Sequence, residues 1–156
     1  MVNFDFGAGG FARAVAVRLK PGTDLLEGLT QVCKENNIQN GVIVSALGSL
    51  SKAYLCNPTE VDTKAGYGYG EPTFIDGPLE LLGASGVVCH DLDGSVNLHV
   101  HVTISNKQAE CFGGHLAPGT TVLLTTDAVI AELSGIEMER KMDPDLDVPI
   151  LTPRTK

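Results

Sequence analysis

The stretch VNLHVHVTISNKQAECFGGHL, Val96 to Leu116, holds three of the four histidines in the chain. His99 and His101 stand in a His-x-His pair, and His115 follows Gly113 and Gly114. Residues i and i+2 of a β-strand point to one face about 6.5–7 Å apart, so imidazoles at that spacing can share an ion. The surrounding residues support a strand. Leu98, Val100, Val102 and Ile104 alternate with Asn97, His99, His101 and Thr103, an apolar face against a polar one.

A hairpin is expected to bring in the third histidine. With an odd-length loop over Ser105–Ala109, Glu110 faces Ile104, Phe112 faces Val102, Gly114 faces Val100 and Leu116 faces Leu98. Cys111, Gly113 and His115 then fall opposite Thr103, His101 and His99. The apolar pattern selects this parity, because a slip of one residue turns every side chain to the other face. Gly113 and Gly114 are expected to leave room beside the imidazoles. Three imidazoles suit zinc or another borderline divalent metal. Three protein ligands with a free fourth position is the arrangement of catalytic zinc. The plainer alternative is a solvated polar sheet face that contains histidines. A closed Cys111–histidine site is a rival, disfavoured because Cys111 lies farther along the hairpin. His90 follows a different strand and reads as a surface or outer residue.

The elements that must position these residues can be read in outline. FARAVAVRL (Phe11–Leu19) is apolar on both faces and predicts a central strand. PGTDLLEGLTQVCKENN predicts a helix, with Asp24 as N-cap and Glu27 at capping-box spacing. Leu25, Leu29, Val32 and Cys33 form its apolar stripe, and Asn36 and Asn37 are its stop signals. GVIVSALGSL (Gly41–Leu50) predicts a strand ending in a Gly-Ser turn, with KAYLCN as the next strand. LELLGASGVVCH (Leu79–His90) predicts a strand bent at Gly83 or Gly86, and DLDG a turn. TTVLLTTDAVIAEL predicts another long strand.

Asn57 to Pro78 carries Pro58, Pro72, Pro78 and the run GYGYG, and reads as a long loop without periodicity. It is either a lid that presents Tyr67 and Tyr69 to a ligand or a plain surface loop. Residues 1–142 are expected to form one domain, and 143–156, with three prolines, an extended C-terminal tail. One helix followed by several strands fits an α+β fold, a mixed and largely antiparallel sheet with one main helix packed on it.

The totals narrow the class of function. The 156 residues are 43% hydrophobic and 19% charged, a globular composition. The net charge of −8 repels phosphate backbones and anionic membrane surfaces. The four arginines, Arg13, Arg18, Arg140 and Arg154, are scattered in sequence. Cys33, Cys56, Cys89 and Cys111 form no C-x-x-C pair and read as reduced thiols in a cytoplasmic protein. The start MVNFDFGAGG lacks a basic n-region and does not read as a signal peptide. No apolar run is long enough to predict a membrane span.

Five blocks, LKPGTDLLEGL, VSALGSLSKAYL, LELLGASGVV, LHVHVTI and GGHL, occur in an order that resembles the PPC domain, the plants-and-prokaryotes-conserved domain. The resemblance runs roughly from Arg13 to Leu133. It implies a mixed α/β fold, a homotrimer, and a metal, usually zinc, on His99, His101 and His115. In plants the domain accompanies AT-hook DNA-binding motifs, and stand-alone prokaryotic members carry a DNA-binding label by association. This chain has no Arg-Gly-Arg-Pro hook and is acidic, so direct DNA binding is not expected.

Three functions follow as expectations. The first is a metal-dependent enzyme acting on a small molecule, with the metal polarising a carbonyl or activating water. Glu80, which opens the LELLGASG block, is its candidate base; a structural or surface role is the alternative for that residue, and Asp91 and Asp93 read as solvated turn residues. The second is a regulatory or protein-interaction module with a structural metal. The third is a small-ligand sensor.

Overall fold

The computed structural model describes residues 2–156. One helix, α1 (Leu25–Glu35), follows the first strand, and the rest of the regular structure is β. The strands are β1 (Gly10–Leu19), β2 (Gly41–Cys56), β3 (Pro58–Glu60), β4 (Tyr67–Tyr69), β5 (Thr73–His90), β6 (Val96–Ser105), β7 (Cys111–Leu116), β8 (Thr121–Ser134), β9 (Ile136–Asp143) and β10 (Val148–Thr155). Eight of them form one sheet in the order β1-β8-β2-β7-β6-β5-β9-β10, and β3 pairs with β4 separately. The pairing is antiparallel except for the single parallel contact of His90 in β5 with Glu139 in β9. The expected mixed, largely antiparallel sheet with one helix is observed.

Strand β2 also pairs with β5 over most of its length. At its far end Leu55 and Cys56 pair with Leu116 and His115 of β7. The ladder β2–β5–β6–β7 therefore closes on β2 and encloses Leu50, Leu55, Leu79, Leu81, Val100, Val102, Ile104 and Leu116, all buried in one core cluster. Closure leaves these strands no free edge from which to slip.

Helix α1 joins that core through Leu25, Leu29 and Cys33, all fully buried. Each buried leucine contributes about 1.5–3 kcal/mol of hydrophobic stabilisation. Burial also pushes the Cys33 thiol up to about 11, so it stays protonated and inert. Asp24 caps the helix as expected: Oδ1 accepts from the Glu27 N–H at 3.0 Å, and Oδ2 accepts from the Gly119 N–H. The second bond ties the helix start to the turn before β8. Asn36 caps the other end and Asn37 takes a left-handed conformation, φ 54°.

Four sequence expectations change. Strand β1 is an edge strand, paired only with β8, so the apolar outer face of FARAVAVRL is open; Phe11 is 70% exposed. GVIVSALGSL and KAYLCN are one strand, β2, with register shifts instead of a Gly-Ser turn. Gly48 makes this possible, because a Cβ there would stand 2.1 Å from the Thr125 carbonyl oxygen. The Asn57–Pro78 stretch is a short β3–β4 hairpin followed by the start of β5 rather than an aperiodic loop. Residues 143–156 are not extended throughout: 144–147 make a turn, and Val148–Thr155 pair with β9 as β10. The predicted bend in β5 falls at Gly83, where the register against β6 shifts.

No helix among the described residues is long and apolar enough to cross a membrane. Replacing Asp24 by Ala removes both carboxylate bonds at the start of α1, and is expected to destabilise the fold by about 1–2 kcal/mol. Urea denaturation at fixed protein concentration measures this, and an unchanged midpoint would contradict it.

Candidate metal centre

The site is set by the two faces of β6. Leu98, Val100, Val102 and Ile104 turn into the closed core, so Asn97, His99, His101 and Thr103 must turn outward. Strand β5 flanks one edge with Ser85 opposite His101 and Val87 opposite His99. The two backbones are close at Gly86, where a Cβ would lie 2.4 Å from the His99 carbonyl oxygen.

On the other edge, β7 pairs with the predicted parity but two positions away from the predicted register. His115 stands opposite His101, Gly114 opposite Val102 and Gly113 opposite Thr103, with Ser105 closing on Cys111. The loop is therefore Asn106–Glu110 rather than Ser105–Ala109. Asn106 is the reason: its side-chain oxygen accepts from the N–H groups of Gln108 and Glu110, both at 3.0 Å. Ala109 supplies the left-handed turn residue, φ 61°. The glycine pair does not open space for a ligand. A Cβ at Gly113 would meet the Val102 carbonyl oxygen at 3.1 Å, and one at Gly114 the Cys56 carbonyl oxygen at 3.0 Å. These glycines allow neighbouring strands to approach.

The three histidines converge in this register. Each offers a ring nitrogen, and these nitrogens lie within 4.8 Å of one another. His99 Nε2 and His101 Nε2 are 3.0 Å apart. Tetrahedral zinc at about 2.0–2.1 Å from each nitrogen holds its ligands roughly 3.4 Å from one another, so little closure is needed. Burial lowers the pKa of His99, and the His101 and Arg140 charges lower it further. Burial, then His99 and His101, lower that of His115. Both shifts favour the neutral imidazole, which is the ligating form. The Nδ1 of His115 is buried without a hydrogen-bond partner among the described residues. Converging imidazoles, one of them with an orphaned ring nitrogen, fit a divalent cation.

A cavity of about 570 Å³ opens beside His99 and His115. Its walls include Leu26 of α1, Leu98 of β6, Tyr69 of β4, and Arg140, Ile150 and Leu151 of the β9–β10 hairpin. Tyr69 stacks on the His115 ring, with centroids 4.3 Å apart and planes 22° from parallel. Of the two tyrosines singled out in the sequence, Tyr69 reaches the site, while Tyr67 is 64% exposed and does not line it.

Other sequence candidates lie elsewhere. Glu80 is exposed and pairs with Ser49 and Ser105. It is five residues along β5 from Ser85, the partner of His101, or roughly 15 Å. The antiparallel run of β5 carries it to the hairpin end of β6, so the structure does not bring it to the histidines. Cys111 is exposed at that same end and outside the cluster. His90 lies 3.2 Å from Glu137 Oε1. Asp91 is not simply solvated: it accepts from Asn97 Nδ2 at 3.0 Å and from Arg140 Nη1 at 3.3 Å.

Arg140 is the site residue that the sequence did not reveal. Nothing in GIEMERKMD marks one arginine among charged neighbours as facing a cavity, and the strand that delivers it pairs with β5 through one residue only.

Comparison with known proteins agrees with this architecture. Residues 6–134 match the model of the Plants and Prokaryotes Conserved (PCC) domain. A metal-containing protein from Archaeoglobus fulgidus superposes with a TM-score of 0.78 at 26% identity, over 95% of this chain and 99% of that one. A plant- and prokaryote-conserved (PPC) protein from Pyrococcus horikoshii superposes with a TM-score of 0.76 at 26% identity, over 96% of this chain and 97% of its own. Among curated proteins, the Bifunctional protein GlmU of two Synechococcus strains is 31% and 30% identical over 135 residues, 86% of this chain. The matched chain spans only 20% and 19% of the length of those relatives. With most of its length matched by the domain model and its fold shared with a PPC protein, this chain belongs to the Plants and Prokaryotes Conserved (PCC) domain family.

Proposed function

We propose that this chain is a metal-dependent enzyme for a small molecule, with one divalent metal, most simply zinc, held by His99, His101 and His115. The observation that carries the reading is the convergence of three imidazoles at the end of a cavity large enough for a metabolite. Three neutral nitrogen ligands leave a coordination position for substrate or water, unlike a closed structural site. The metal-containing Archaeoglobus relative supports a metal on this fold. Bound there, a divalent metal would supply Lewis acidity to a carbonyl or lower the pKa of a bound water.

The remaining roles fall to the chain. Tyr69 holds the His115 ring by stacking and covers one side of the cluster. Leu26, Leu98, Ile150 and Leu151 keep bulk water from that end of the cavity, which strengthens any charge interaction inside it. Glu80 is too distant in the single chain to act as the base, which leaves the Tyr69 hydroxyl as the proton-transferring group lining the cavity.

We further propose that the chain assembles as a homotrimer. Val44 and Leu47 of β2 and Leu124 of β8 are 57%, 54% and 67% exposed on adjacent strands, and Phe11 of β1 adds to the apolar outer surface. An uncovered apolar area of this kind suits self-association, and a cyclic arrangement covers it equally on every subunit.

Three outcomes are expected. Elemental analysis after purification without chelators should find about one metal equivalent per chain, by the stoichiometry of a single three-ligand site. The His99→Ala/His101→Ala double variant should hold none, and undiminished metal in it would sink the reading. Light scattering should give close to three times the 16.4 kDa chain mass, and a concentration-independent mass of one chain would rule the trimer out. Anisotropy titration with duplex DNA at physiological salt should show no binding tighter than the non-specific range of roughly 10⁻⁴–10⁻⁶ M, and a sub-micromolar, salt-sensitive isotherm would contradict this.

A further inference from the structure

We propose that the cavity takes a small organic carboxylate, whose carboxylate group is received by the Arg140 guanidinium while its apolar body lies against Leu26, Ile150 and Leu151. The proposal rests on the metal reading above for the reacting end of the molecule, and on the cavity wall alone for the anionic end.

Charge is the first argument. Among the described residues, Arg140 is the one lining this cavity that carries a full charge, and no Asp, Glu or Lys lines it. Asp91 offsets part of the guanidinium charge from outside the wall, at 3.3 Å; with a metal bound as proposed and no carboxylate among the described lining residues, positive charge would remain for the ligand to balance.

Donor accounting is the second. A guanidinium has five N–H donors in a fixed fork. Arg140 uses Nη1 toward Asp91 Oδ2 at 3.3 Å and Nη2 toward the Pro149 carbonyl oxygen at 3.0 Å. Neither contact is the two-bond fork of a closed arginine–carboxylate pair, and three donors remain. Asp91 also holds Asn97 Nδ2 at 3.0 Å, and Asn97 lines the same cavity. Asp91 thus acts as a positioning residue that steadies two donors from outside the wall.

The rest of the wall selects the class of anion. A single guanidinium, with no lysine or second arginine beside it, matches the planar two-oxygen face of a carboxylate. The aliphatic side chains of Leu26, Ile150 and Leu151 favour a hydrocarbon body over a phosphoester. Arg140, Ile150 and Leu151 lie beyond residues 6–134, so the family match does not itself assign this part of the wall.

Calorimetric titration of metal-free protein tests the anionic end alone. The probes are hexanoate, its neutral counterpart hexan-1-ol, and inorganic phosphate. Hexanoate is expected to bind more tightly than either. Arg140→Gln should weaken hexanoate by about tenfold or more, the value of a charge-assisted pair, and leave hexan-1-ol unchanged. Arg140→Lys, which keeps the charge without the fork, should fall between, and it serves alone if circular dichroism shows the Gln variant unfolded. Equal hexanoate affinity in wild type and in the folded variant would overturn the proposal, as would tighter binding of hexan-1-ol or phosphate. Elemental analysis keeps the two readings apart. A chain that holds no metal but binds hexanoate through Arg140 defeats the metal reading only, and one that holds its metal but ignores hexanoate defeats this one only.

Discussion

Strand β6 has to keep two incompatible faces apart, and the site depends on that separation. Its even-numbered residues from Leu98 to Ile104 are packed inside a closed ladder of strands. Rotating any histidine inward would bury an imidazole in that core and expose a branched aliphatic side chain, costing on the order of 2 kcal/mol for the aliphatic alone. The partners of β6 on both sides fix the register further, with the Gly86 approach on one edge and the Asn106-capped loop on the other. The imidazoles are thus held together by core packing that none of them takes part in.

The electrostatics follow from the same placement. The ring nitrogens sit where the sheet, the β3–β4 hairpin and the β9–β10 hairpin meet, partly shielded from water. Shielding disfavours imidazolium, and each neighbouring ring adds to the effect. Among the described residues no acidic side chain joins the cluster. The Asp91 carboxylate is engaged behind the wall by Asn97 and Arg140.

The parts legible in the sequence were those governed by local rules. The period-two alternation of Val96–Ile104 placed the histidine face, and the hairpin parity brought His115 to it. Asp24, the Leu25–Leu29–Cys33 stripe and the two asparagines defined α1 closely. Errors arose where long-range pairing decided. The register of β7 turned on which residue capped the loop, a choice made by one asparagine side chain. FARAVAVRL looked central because its apolar residues implied cover on both faces, yet within one chain it is an edge. Glu80 opens a sequence motif, and the antiparallel geometry of β5 places it at the hairpin end of β6, away from the histidines in the single chain. Arg140 arrives on a hairpin whose position follows from Asn40: its side-chain oxygen accepts from the Met138 N–H at 2.7 Å, a contact spanning 98 residues that no window of sequence shows.

The two ends of the chain meet. The Ala8 N–H donates to Thr155 Oγ1 at 2.9 Å, the Lys156 N–H donates to the Gly135 carbonyl oxygen at 2.9 Å, and a Cβ on Gly7 would stand 2.6 Å from the Arg154 backbone. Both ends therefore leave from one patch, alongside strands β9 and β10 and away from the closed ladder. A unit whose terminal segments lie side by side can be carried as a side branch on a larger polypeptide with its core untouched. The fold is, in that sense, portable, and a matching segment occupies about a fifth of the length of much longer proteins.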